Sequence, residues 1–137
     1  MNTNPTVLIA DDDPDFRELI KDYLSEAGYT VVEAGDGDEA LRLAFEKPPD
    51  VLLLDVMMPG KNGFDVCKHI RNNDRTRGTS VVMLTVRNQL SDKLTAYISG
   101  AQRFLNKTCD LSDIDSCLKT VLKQKDIRKT QFDQDIH

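Results

Sequence analysis

A chain of 137 residues is close to one typical domain in length, and two full domains do not fit. With 39% hydrophobic and 30% charged residues it can bury a core, which excludes disordered and fibrous classes. Eighteen basic against 23 acidic residues give a net charge of −5, which disfavours direct nucleic-acid binding.

The predicted elements alternate from the start. Residues 7–10 form a short apolar run that reads as a strand, and Asp11, Asp12 and Asp13 follow it. A helix comes next: Phe16, Leu19, Ile20, Tyr23, Leu24 and Ala27 keep helical spacing, Asp13 caps, Pro14 sits in the first turn and Gly28 stops it. Residues 30–34 read as the second strand. The second helix starts near Asp38, carries Ala40, Leu41, Ala44 and Phe45 on one face, and ends before Pro48 and Pro49. Residues 51–54 are a wholly apolar third strand. Asn62 caps a third helix with Phe64, Val66, Cys67 and Ile70, and residues 81–84 read as strand four. Leu90, Leu94, Tyr97 and Ile98 mark a fourth helix closed by Gly100, and residues 103–105 make strand five. After Asp110, Leu111, Ile114, Cys117, Leu118, Val121 and Leu122 keep helical spacing, with Asp113 at the third position of a capping box.

Five such alternations imply a parallel sheet with helices on both faces, a doubly wound α/β sandwich. In such folds ligands bind beyond the carboxyl ends of the strands. Those ends carry Asp11, Asp12 and Asp13, then Asp55, Thr85 and Lys107. Any one of them read alone is a helix cap or a solvated turn. Four strand ends converging on one edge describe a pocket. Asp55 stands out because it joins an apolar strand to the apolar segment Val56, Met57, Met58 and Pro59. Carboxylates within about 5 Å repel pairwise by about 3 kcal/mol at an effective dielectric near 20, so a cation must compensate. Few, hard oxygen ligands suit Mg²⁺, and Lys107 adds a second positive charge, so the site is shaped for an anion. The Asp-Asp-Asp-Pro turn after strand one is the opposite of a glycine-rich nucleotide loop.

The segments VLIADDDP, VLLLDVMMPGKNG, VVMLT and GAQRFLNK, in this order, resemble the receiver domain of two-component response regulators over residues 6 to about 123. The resemblance implies a flavodoxin-like (βα)5 sandwich with strand order 2-1-3-4-5, a receiver domain over residues 1–123, and a tail or linker start over residues 124–137. It implies Asp55 as phosphoacceptor, Asp11 and Asp12 as metal-binding acids with Asp12 a direct ligand, and the Met57 carbonyl as a further Mg²⁺ ligand, with Mn²⁺ able to substitute. Thr85 and Lys107 would each bind a phosphoryl oxygen, and Phe104 would turn when Thr85 moves. The implied protein is a regulatory domain and not a turnover enzyme. It takes its phosphoryl group from a histidine kinase or phosphotransfer protein and changes the helix 4, strand 5 and helix 5 surface read by an output domain or protein target. A phosphorylation-dependent dimer belongs to the same picture.

Several residues depart from the family. Thr108 follows Lys107 where proline joined by a cis peptide is usual, and the expectation is a trans bond with Lys107 still reaching the site. Gln102 and Arg103 replace acids that make dimer salt bridges in the DNA-binding branch, so that dimer mode is not expected. Val86 is bulkier than the usual small residue, and Met57 and Arg87 flank the path of a hydrolytic water. His69 and His137 read as surface residues, and Cys67, Cys109 and Cys117 as reduced packing residues. The longest apolar runs have about four residues against the roughly 20 needed to span a bilayer, and no basic leader precedes the first acids, so the expected location is the cytoplasm. Two other readings stand beside the receiver: a haloacid-dehalogenase-like phosphatase with Asp11 as nucleophile, and a receiver-like binding module that is never phosphorylated.

Overall fold

Burial of both faces is what makes the central strands continuous apolar runs. The computed structural model describes residues 4–86 and 89–136, with side chains described to residue 127. Its strands are β1 (Thr6–Ala10), β2 (Thr30–Ala34), β3 (Val51–Leu54), β4 (Ser80–Thr85) and β5 (Arg103–Asn106). They pair in parallel in the order β2-β1-β3-β4-β5, as expected. The helices are α1 (Pro14–Glu26), α2 (Gly37–Glu46), α3 (Gly63–Arg71), α4 (Leu90–Ser99) and α5 (Leu111–Ile136).

Alternation along each strand divides the core in two. Leu8, Ala10, Leu52, Leu54, Val81 and Met83 face the side where Ala40, Val66, Ile70 and Ala96 pack. Val7, Ile9, Val51, Leu53, Val82 and Leu84 face Ile20, Leu24, Ile114, Leu118 and Val121. Cys67 is buried in the first cluster, and burial pushes its thiol up to about 11, which suits a packing residue. All three cysteines are free.

Local chemistry sets the helix ends. The Asp13 carboxylate accepts from the backbone N–H groups of Asp15 and Phe16, and Asn62 accepts from that of Asp65. Asp36 caps α2 by accepting from Glu39 N, which starts the helix one residue before Asp38. At α5 the Asp113 carboxylate accepts from Asp110 N at 3.1 Å, the reciprocal half of the capping box. Gly100 closes α4 at φ 108, where a side chain would be strained. The α5 helix continues through residues 124–136 without a break.

One face is opposite to expectation. Leu90, Leu94, Tyr97 and Ile98, spaced as a core stripe on α4, are 49% to 83% exposed, while Asp92, Ala96 and Ser99 face inward. These short side chains form the buried face of α4, which contacts α3 and β5. Periodicity located the helix and not its inward face.

Candidate functional site

Register aligns the acids before any side chain is considered. Ala10 sits opposite Leu54 across β1 and β3, and the Asp55 N–H donates to the Ala10 carbonyl at 3.0 Å. Asp11 and Asp55 therefore leave neighbouring strands at one level. On the far side Thr85 pairs with Asn106, and Lys107 N donates to the Thr85 carbonyl at 3.0 Å. This extends the rim to Lys107.

The carboxylates converge. Asp11, Asp12 and Asp55 each present an oxygen within 4.8 Å of the others, with Asp11 and Asp55 buried and Asp12 exposed. Lys107 Nζ lies 2.6 Å from Asp11 Oδ2 and 3.0 Å from Asp55 Oδ2. Asp55 Oδ1 accepts from Met57 N at 3.2 Å, and Asp11 Oδ1 from Asp13 N at 2.9 Å. Among the described residues no peptide bond is cis, so Lys107 reaches both acids with a trans bond to Thr108.

Electrostatics follow from this packing. Burial raises the Asp11 pKa and the Asp55 charge adds to it, against the pull of Lys107 and of the Asp13 N–H. Burial disfavours the Lys107 ammonium, but hydrogen bonds to Asp11 and Asp55 outweigh it and hold its pKa above the usual 10.5. Two buried acids thus share one cation, with a third acid at the solvent edge.

Thr85 is fully buried at the end of β4. Phe104 lies opposite Met83 and packs half-buried against the same core cluster, so it shares a sheet face with Thr85. Met57 is 55% exposed and lines a hollow of about 500 Å³ with Asp12, Val56, Met58, Pro59 and Asn62. Val86 is exposed beside Thr85, and His69 is exposed on α3. Arg87 and His137 lie outside the described residues.

Residues 7–119 match the response regulator receiver domain family. The chain belongs to that family. Among proteins similar to this receiver domain, the DNA-binding dual master transcriptional regulator RpaA of Synechocystis is 38% identical over 122 residues, covering 89% of this chain and 51% of that protein. The phosphate regulon transcriptional regulatory protein PhoB of Escherichia coli is 32% identical, covering 86% of this chain and 52% of that protein. The receiver chain therefore spans about half the length of the curated relatives it matches. Among solved structures, the chemotaxis protein CheY4 of Vibrio cholerae superposes with TM-score 0.83 at 32% identity, over 87% of this chain and 99% of that one. A CheY-like receiver from Methanospirillum hungatei reaches TM-score 0.87 at 21% identity, over 92% and 99%, a likeness of fold. Family membership goes against the phosphatase reading.

Several contacts around the site and its sheet had no signal in the sequence. Arg17 Nη1 donates to the Asp11 carbonyl at 2.6 Å while its Nε pairs with Glu33 at 3.2 Å, tying the acidic turn to β2. Asn106 Oδ1 accepts from Thr108 N and Thr108 Oγ1 at 2.9 and 2.8 Å, which fixes the turn after Lys107. Phe16 places its ring under the Lys107 ammonium. Gln102 is a stitch between elements, since its Oε1 accepts from Arg71 Nη2 and Val81 N, both at 2.7 Å. Arg103 donates to the Gln102 carbonyl at 2.8 Å and to Gln124 at 3.3 Å.

Gly63 is needed for close approach: a Cβ there would overlap the Asp55 carbonyl oxygen and come within 3.0 Å of its carbon. Gly63→Ala is expected to cost about 1–3 kcal/mol through backbone displacement and to shift Asp55 relative to Lys107. Urea denaturation checks the first effect and the Asp55 carboxyl ¹³C shift the second.

Proposed function

We propose that the chain is a phosphorylation-operated switch in which Asp55 takes a phosphoryl group from the phosphohistidine of a histidine kinase or phosphotransfer protein. The observation that carries this reading is Lys107 Nζ bridging Asp11 and Asp55, with Asp12 beside them at one strand edge. A carboxylate nucleophile needs no deprotonation at neutral pH. As the O–P bond to Asp55 forms the N–P bond breaks, and positioning with charge neutralisation does most of the catalysis.

Asp11, Asp12, Asp55 and the Met57 carbonyl would hold Mg²⁺ or Mn²⁺, and an all-oxygen set that is partly open suits such ions. The ion would neutralise charge on the phosphoryl oxygens. Lys107 pairs with one phosphoryl oxygen and the Thr85 hydroxyl with another, Phe104 follows Thr85, and the α4, β5 and α5 surface changes. Shifting a 1:99 equilibrium to 99:1 takes about 5.5 kcal/mol of differential contact, much of which two charge-assisted hydrogen bonds supply. The switching unit is residues 1–123, and residues 124–137 are a tail or the start of a linker to an output partner. The cytoplasm is the compartment in which such a kinase reaches it. The complete set of Asp55, Thr85 and Lys107 favours this reading over a binding module that is never phosphorylated.

The test is incubation with acetyl phosphate and Mg²⁺, followed by borohydride trapping and peptide mapping by mass spectrometry. The expected result is a single phosphoryl group on Asp55 that does not form in EDTA. Modification elsewhere, or none, would overturn the reading.

A further inference from the structure

We infer that Phe16 is a positioning residue for Lys107, its ring face holding the ammonium group beside Asp55; this rests on the phosphoacceptor reading above. Lys107 Nζ lies over the Phe16 ring, 4.7 Å from its centroid. At that distance the negative face of the ring attracts a cation.

The ring is itself fixed. Phe16 N donates to Asp13 Oδ1 at 3.3 Å in the first turn of α1, and the half-buried side chain packs on the core cluster of Ile9, Ile20 and Leu84, against which Leu105 and Leu111 also pack. The ring is thus tied to the acidic turn through the α1 cap and to the β5 side through the core. Lys107 has a secured backbone, through Lys107 N to the Thr85 carbonyl at 3.0 Å and Cys109 N to the Asn106 carbonyl at 3.0 Å, but a flexible four-carbon stem. Its tip has three attachments: Asp11, Asp55 and the ring.

Those attachments differ in what phosphorylation does to them. One Asp55 oxygen becomes the bridging oxygen of an acyl phosphate, and Asp11 is a shared carboxylate. The ring attracts the ammonium independently of either acid. An aliphatic residue at position 16 would fill the same space without the quadrupole, so the helical position calls for an apolar side chain and only the site calls for an aromatic one.

The variants are Phe16→Leu, Phe16→Tyr and, should leucine fail to fold, Phe16→Met. In the unphosphorylated wild type the Lys107 ε-methylene protons are expected upfield of those of the other lysines by the ring current. The shift should vanish in Phe16→Leu and persist in Phe16→Tyr. With acetyl phosphate and Mg²⁺, Phe16→Leu is expected to slow Asp55 phosphorylation about three- to tenfold, Phe16→Tyr to restore it, and Phe16→Leu to have no effect in a Lys107→Ala background. A wild type that takes up no phosphoryl group sinks the phosphoacceptor reading and, with it, this role. A wild type that is phosphorylated while Phe16→Leu matches it in rate, or shows the same Lys107 resonances, overturns the inference about Phe16 alone.

Discussion

Asp55→Asn is expected to abolish phosphorylation by acetyl phosphate while changing stability by no more than about 1.5 kcal/mol, because two opposing contributions partly cancel. Removing the charge relieves repulsion from Asp11, whose nearest oxygen is within 4.8 Å, and that relief is about 3 kcal/mol at an effective dielectric near 20. Against it stands the charge-assisted hydrogen bond from Lys107 at 3.0 Å, which contributes about 1.5–3 kcal/mol. The carboxamide oxygen can still accept from Met57 N, so the turn after β3 keeps its anchor. Lys107 then serves Asp11 alone, at 2.6 Å. With Asp55 neutral, the Asp11 carboxyl also loses one of the influences that raise its pKa, so it titrates at lower pH in the variant. Intact mass, urea denaturation and carboxyl ¹³C shifts read the three effects separately. A variant that still gains a phosphoryl group, or one that unfolds, contradicts this account.

The contrast between Asp55 and the residues around it shows where sequence reading has force. Asp55 was legible because a fully apolar strand on one side and Val56, Met57 and Met58 on the other leave a carboxylate nowhere to go but a pocket. Asp13, Asn62 and Asp113 were legible because a cap acts within a few residues of itself. The same locality leaves other features unmarked. Leu90, Leu94, Tyr97 and Ile98 repeat identically whether the stripe faces the sheet or solvent, and the buried Asp92, Ala96 and Ser99 that decide the matter look like a polar face. Phe16 sits at a helical core position and serves as one, so its contact with Lys107, made across the fold, leaves no periodic trace. Gln102 reads only as a replacement for a dimer-contact acid, and its bonds to Arg71 and Val81 appear once the fold brings them to it. What the chain places within one element is readable, and so is the edge where a parallel sheet gathers its strand ends; a contact that depends on how a helix is turned against its neighbours is not.

Lys107→Met should show what the acidic pocket costs when its cation is removed. The stem length is kept, so packing against Phe16 survives, but Asp11 and Asp55, 3% and 5% exposed as side chains, face each other with no ammonium between them. Removing one partner of a buried ion pair costs about 3–5 kcal/mol, and the open side at Asp12 reduces that to about 2–4 kcal/mol at pH 7 without divalent cation. The pH dependence has a definite sign. Losing Lys107 removes an influence that lowers the Asp11 pKa, so its folded value moves further above the unfolded 3.8. Between those two values the native state binds more protons than the unfolded chain, so stability falls as pH rises through the window. The variant should therefore lie closest to wild type near pH 4 and fall away toward pH 7. Adding Mg²⁺ at pH 7 should restore stability by the logarithmic law for a ligand of the native state, and by more than in wild type, where Lys107 competes for the same oxygens. Urea titrations at both pH values, with and without Mg²⁺, give all four comparisons. Equal stability of variant and wild type at pH 7 in EDTA would mean that Lys107 does not balance these acids.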